Sequence, residues 1–182
     1  MAESVLKDKK AAIIIAFRNF SDEEYFIPKQ ILEEAGSKIT TVSASLGVAI
    51  GSQGGEAEVD ILLENLKVED FDAIIFAGGG GALKYLDNEN SYEISRTAVA
   101  QNKVLGAICI APVILAKAGV LSNKKATVWS GVMDRSSIRI LKEKEADYQD
   151  TSIVVDGRIV TADGPAAAKE FGGVIIKLLK SA

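Results

Sequence analysis

Val104-Leu105-Gly106-Ala107-Ile108-Cys109-Ile110-Ala111-Pro112 is the stretch on which the reading of this chain turns. An apolar, β-prone run reaches a cysteine, and a helix-compatible run from Val113 to Ala118 follows it. A strand that passes directly into a helix holds the residue at its end on the carboxyl edge of a sheet, with the next helix pointing its amino terminus at it. That terminus carries unpaired N–H groups and partial positive charge, which favour a thiolate. Cys109 therefore stands where a nucleophile would be placed. The plainer alternative is a buried, inert thiol, since free cysteine is among the most buried residue types.

Working outward, strand-like and helix-like segments alternate to both ends. Ala11 to Phe17 is a continuous apolar run, as expected of a strand covered on both faces. Ile27, Ile31, Leu32 and Ala35 fall at helical spacing, with Gly36 as a stop and Pro28 reading as a helix start. Lys38 to Ala44, Ala73 to Phe76 and Val104 to Ile108 read as strands, and Ala126 to Trp129 as a short one. Leu46 to Gly55, rich in small residues, reads as loops or a short hairpin and could line the entrance to a pocket. Tyr92 to Gln101, Pro112 to Lys117 and Ile138 to Lys144 read as helices. Ile153 to Val155 and Ile159 to Thr161 flank a two-residue turn signal, Asp156-Gly157, and Pro165 opens a last helix to about Leu179. Repeated βα units with buried strands predict an α/β fold, a mostly parallel sheet with helices on both faces. In such folds ligands bind beyond the carboxyl ends of the strands, where Cys109 falls.

The 182 residues suit one domain spanning 1–182. A net charge of −4 offers no basic surplus for nucleic acid. No apolar run approaches the length of a membrane span, and Met1-Ala2-Glu3-Ser4 lacks the apolar core of a signal peptide. A single cysteine cannot close an intrachain disulfide, so the expected setting is cytoplasmic. The chain holds no histidine. That removes Ser-His-Asp and Cys-His catalysis, histidine-ligated metals and imidazole proton shuttling. Neither a metal nor a cofactor is expected.

Two further segments are candidates for the same site. Gly78-Gly79-Gly80-Gly81 follows a buried strand, and glycines there let backbone N–H groups converge on an anion. It fits neither a Walker A loop nor G-x-G-x-x-G, so an oxyanion pocket shared with the amide after Cys109 is the more economical reading, beside that of a simple tight turn. Asp22-Glu23-Glu24 follows the first strand. Acidic residues at a helix start stabilise its dipole, but a carboxyl buried beside a thiol would have a raised pKa and could donate a hydrogen bond to a thiolate. Arg18, Ser130 and Asp163 also lie at apparent strand ends, where each could reach the site or simply be structural.

Glu24-Tyr25-Phe26-Ile27-Pro28, Phe71-Asp72-Ala73-Ile74-Ile75-Phe76-Ala77-Gly78-Gly79, Ala107-Ile108-Cys109-Ile110-Ala111-Pro112 and Thr161-Ala162-Asp163-Gly164-Pro165 together resemble the ThiJ/PfpI superfamily. That group includes the PfpI intracellular proteases and the parkinsonism-associated protein deglycase. The resemblance implies a flavodoxin-like three-layer sandwich with Cys109 on a strained nucleophile elbow. It implies that Glu24 hydrogen-bonds the sulfur from the first turns of a helix that begins before Pro28. It further implies that the Gly79 and Ile110 N–H groups form an oxyanion site, with Gly78 a possible pocket residue, and that the thiol has a low pKa and oxidises readily. A homodimer or larger homo-oligomer is implied as well, so Val174, Ile175, Leu178 and Leu179 are either core or interface.

The match breaks at histidine. Protease-type members carry one directly after the cysteine, where this chain has Ile110, and deglycase-type members carry one where this chain has Trp129. Trp129 could line a hydrophobic pocket or shield the thiol, core packing being the simpler alternative. Peptide hydrolysis is poorly served, because the leaving amine needs a proton donor. Attack of a thiolate on a reactive dicarbonyl gives a hemithioacetal with no amine leaving group, and a small reactive carbonyl or a glycated compound is the expected substrate. Glyoxalase III or deglycase-type chemistry through Cys109 and Glu24 is thus the expected function. A cysteine-based oxidative-stress sensor or chaperone is the alternative, followed by a PfpI-type peptidase or amidase.

Overall fold

The computed structural model describes residues 4–181, so the signal-peptide reading of Met1 to Glu3 lies outside the described residues. In chain order, β1 (Lys10–Ile14) and β2 (Arg18–Phe20) precede α1 (Asp22–Glu34). Then come β3 (Lys38–Ser43), β4 (Gly47–Gly51), β5 (Glu56–Val59), β6 (Ile61–Leu62) and β7 (Ala73–Phe76). Helices α2 (Ala82–Leu86) and α3 (Glu89–Ala100) lead to β8 (Val104–Ile108) and α4 (Pro112–Lys117). Strand β9 (Lys125–Ala126), α5 (Ser136–Glu143), β10 (Asp147–Tyr148), β11 (Ile153–Asp156), β12 (Ile159–Ala162) and α6 (Ala168–Lys180) complete the chain.

The main sheet runs β11-β12-β8-β7-β1-β3-β6. Every pairing in it is parallel except β11 with β12. This is the α/β sandwich expected from the buried strand runs. Alternate residues of each central strand face opposite layers, as a two-residue period requires. Ala12, Ile14, Ile74, Phe76, Leu105 and Ala107 pack against Ile94, Val113, Ile114, Ile138 and Leu141 of α3, α4 and α5. Ile13, Ile75, Val104 and Ile108 pack against Leu32 of α1 and Phe171, Ile175 and Leu179 of α6. Ile175 and Leu179 are therefore core, whereas Val174 and Leu178 are half-buried beside it. Gly172 lets the two helices of this layer approach: a Cβ there would stand 3.4 Å from Pro28 Cα and from Ile31.

Four expectations shift. Helix α1 starts at Asp22 with Pro28 inside it, so the proline is not a helix start. Lacking an N–H, Pro28 leaves the Glu24 carbonyl without its helical donor. The strand expected over Ala126 to Trp129 stops at Ala126, because the next N–H groups leave the ladder. Thr127 N–H donates to Thr161 Oγ1 (2.9 Å) and Trp129 N–H to the Cys109 carbonyl (2.8 Å). In the β11–β12 hairpin Asp156 pairs with Ile159, so the turn is Gly157-Arg158 and not Asp156-Gly157. Pro165 opens a single 3-10 turn, and α6 begins only at Ala168. Leu46 to Gly55 includes β4, which forms a hairpin with β5 and, with β2, a three-stranded side sheet.

Among the described residues no helix is long and apolar enough to cross a membrane.

Candidate active site around Cys109

Cys109 is the residue after β8 and has φ +65°, a left-handed conformation that is costly for a side chain bearing a Cβ. Its peptide groups are held on both sides. The Cys109 N–H donates to the Ala162 carbonyl of β12 at 2.8 Å, and its carbonyl accepts from Trp129 N–H at 2.8 Å. Ala111 N–H closes the turn onto the Ile108 carbonyl at 3.2 Å. The strand-to-helix elbow read from the sequence is thus present, and the side chain at its apex is half-buried.

Glu24 comes from the first turn of α1 and is 1% exposed. Its Oε2 accepts from Gly78 N–H at 2.9 Å, while Oε1 has no partner of good hydrogen-bond geometry. The thiol of Cys109 faces this carboxyl, with the Ser21 side chain also nearby. Two glycines make the approach possible. A Cβ on Gly78 would lie 2.5 Å from Glu24 Oε2 and 2.7 Å from Cys109 Cβ. Gly79 has φ +109°, and a Cβ there would lie 2.4 Å from Ser21 N. That conformation leaves the Gly79 N–H, with the Ile110 N–H, on the side of the Cys109 sulfur, where both favour a thiolate.

The electrostatics correct one expectation. Cys109 is not a low-pKa thiol while Glu24 is ionised. Burial first, then the charge of the adjacent Glu24 carboxylate and the hydrogen bond to it, push the thiol up to about 12, against the pull of the two N–H groups. Burial likewise raises Glu24 above the usual carboxylate range, with the bonds to Cys109, Gly78 and Ser21 opposing it. Two anions side by side are disfavoured here, so at most one of the pair is ionised. A thiolate forms when a proton sits on Glu24, which then donates to the sulfur instead of repelling it.

The sulfur opens into a pocket of about 260 Å³ lined by Gly79, Gly80, Leu83, Cys109, Ile110 and Trp129. Trp129 is 37% exposed, so it is pocket wall and not core. Glu24, Gly78, Gly79, Cys109, Ile110 and Trp129 are thereby brought together. Leu83 and Gly80 are additional lining residues; the only signal for them in the sequence is that they adjoin the glycine run. The residues of Leu46 to Gly55 are not among those lining the pocket. Arg18 is structural: its Nη1 donates to the Phe17 and Val48 carbonyls, both at 3.0 Å, and its guanidinium stacks on the Phe17 ring. Asp163 lies one residue beyond the carbonyl that binds Cys109, and burial raises its pKa. Among the described residues no three acidic or cysteine side chains cluster closely enough to hold a metal ion.

Fold and site define a class: a doubly wound α/β protein with its cysteine on a strand-to-helix elbow, backed by a buried carboxyl. The sequence pattern of the DJ-1/PfpI family matches residues 9–178, and the chain belongs to that family. It is 36% identical to the uncharacterized protein MJ0967 of Methanocaldococcus jannaschii, over 96% of this chain and 84% of that one. It is 30% identical to the deglycase PYRAB04690 of Pyrococcus abyssi, over 92% of this chain and 98% of the relative. It is 26% identical to the glutathione-independent glyoxalase DJR-1.2 of Caenorhabditis elegans, over 94% and 89%. The crystal structure of a ThiJ/PfpI domain protein from Brachyspira murdochii superimposes with a TM-score of 0.89 at 29% identity, covering 97% of this chain and 99% of that one.

Proposed function

We propose that this protein consumes reactive carbonyl compounds, with small α-dicarbonyls as the substrate class, by glyoxalase- or deglycase-type chemistry on Cys109 and Glu24. The observation that carries the reading is the pairing of the Cys109 thiol with one buried carboxyl and two N–H donors, at the end of a small, largely apolar pocket, in a chain without histidine. The names of the Pyrococcus and Caenorhabditis relatives support it.

The chemistry balances with these groups alone. Glu24 accepts the thiol proton as the sulfur adds to the aldehyde carbon, forming a C–S bond and an alkoxide held by the Gly79 and Ile110 N–H groups. Glu24 returns the proton to the alkoxide, giving a hemithioacetal. The carboxylate then takes the proton from the carbon bearing sulfur and delivers it to the neighbouring carbonyl carbon through an enediol. The product is a 2-hydroxy thioester, oxidised at one carbon and reduced at the next. Water cleaves it to a 2-hydroxy acid and restores the thiol. On this route, from a free dicarbonyl, no amine departs and no imidazolium is needed. The same requirement weighs against the peptidase reading.

The test is methylglyoxal consumption with lactate formed in equal amount. Cys109→Ala is expected to abolish turnover, and Glu24→Gln to lower kcat by about 100-fold or more. Unchanged turnover in Cys109→Ala overturns the proposal.

A further inference from the structure

Strands β8 and β12, whose carboxyl ends flank Cys109, begin at the opposite edge of the sheet beside a second cavity of about 240 Å³. Its polar lining is Asn102, Lys103, Lys124, Asp156, Gly157 and Arg158. Three cations against one carboxylate is a local reversal of the chain's net charge of −4. The carboxylate is also already engaged. Asp156 Oδ2 accepts from Lys125 N–H at 2.9 Å, and Oδ1 stands 3.5 Å from Lys124 Nζ.

That leaves two cations without a carboxylate beside them. Lys103 Nζ reaches only the Glu69 carbonyl, at 3.5 Å. Arg158 is pinned through its backbone, its carbonyl accepting from Leu105 N–H at 2.9 Å, yet its Nε–H is shut off from solvent with no acceptor. A buried donor without a partner is costly, and on a guanidinium more so than on a neutral group. An oxyanion in the cavity would meet the charges of Lys103, Lys124 and the terminal nitrogens of Arg158, the Nε–H staying enclosed behind them. The turn Gly157-Arg158 brings both residues to the lining, and Gly157, at φ +61°, adds no side chain there.

We propose that the cavity between Lys103, Lys124 and Arg158 is a binding site for a small phosphate-type oxyanion, separate from the Cys109 pocket. The whole protein, labelled with nitrogen-15, is titrated with inorganic phosphate and, at matched ionic strength, with sodium chloride. The expected result is saturable phosphate-specific shifts centred on the Lys103, Gly157 and Arg158 amides. Arg158→Gln is expected to weaken binding by about tenfold or more, and Lys103→Gln by a smaller factor. The alkylation rate of Cys109 stays unchanged in both. Tighter binding of glycerol phosphate than of inorganic phosphate assigns the site to an organic phosphomonoester; equal binding assigns it to the free ion. Shifts no larger than those from chloride overturn the proposal, as does parental affinity in Lys103→Gln and Arg158→Gln. Should Arg158→Gln fail to fold, parental affinity in Lys103→Gln alone overturns it.

Discussion

The proton shared by Glu24 and Cys109 governs what this site can do. Replacing the carboxyl by an amide removes the charge that helps raise the thiol but keeps an oxygen for Gly78 N–H. Glu24→Gln should therefore lower the Cys109 pKa from about 12, even as it slows turnover. The pH dependence of iodoacetamide alkylation measures this, and an unmoved profile would show that burial alone sets the value. The same shift links to stability. Folding raises the thiol above its ordinary value of 9.0, so its contribution is fully present below about pH 9 and is lost as pH rises toward about 12. Glu24→Gln should flatten that alkaline decline in chemical denaturation. Trp129 offers a second readout. It is the only tryptophan and lines the pocket, so its fluorescence should change when Cys109 is alkylated and stay constant in Cys109→Ala.

At the scale of elements, the site is a meeting of three segments after β1, β7 and β8, held by bonds between loops. Thr161 of β12 shows how far that support reaches. Its hydroxyl accepts from Thr127 N–H, and two residues on Trp129 N–H binds the Cys109 carbonyl. Thr161→Val keeps the shape but strands a buried N–H, which should cost about 1–3 kcal/mol in urea unfolding. The accompanying loosening of the segment after β9 should appear as faster hydrogen exchange at Trp129. Unaltered exchange there would mean that the Cys109 carbonyl bond holds Trp129 by itself.

Across the whole molecule, stability comes from two apolar layers, and the Cys109 site sits at the edge between them. Phe171 is fully buried and its ring packs over Gly106 in the middle of β8, where a Cβ would be only 2.9 Å from Cζ. Phe171→Ala should cost about 3–5 kcal/mol of unfolding free energy. It should leave the native alkylation rate of Cys109 unchanged, because α6 contributes no residue to the pocket lining. A loss confined to reactivity, with stability intact, would place Phe171 in the site instead of the core.

Strands β1, β7 and β8 were legible because a strand covered on both faces must be apolar along its length, and helices α3 and α5 because one face repeats at helical spacing. The elbow was legible for the same reason: an apolar strand running into a proline-led helix leaves the residue between them at the sheet edge. The sequence by itself also settled that these 182 residues supply no imidazole. It could not say which of Asp22, Glu23 and Glu24 turns inward, since that depends on where α1 begins and on its rotation against the sheet; only the family resemblance singled out Glu24. In the folded chain the three have different fates. Asp22 accepts from Gln53 and Gly55 N–H, at 2.9 and 2.7 Å, Glu23 faces solvent, and Glu24 is buried at the sulfur. Nor could it give the protonation of Cys109, because desolvation and the neighbouring carboxylate exist only after distant segments pack together. Local pattern determined the layers and the nucleophile's position; tertiary packing decided its charge.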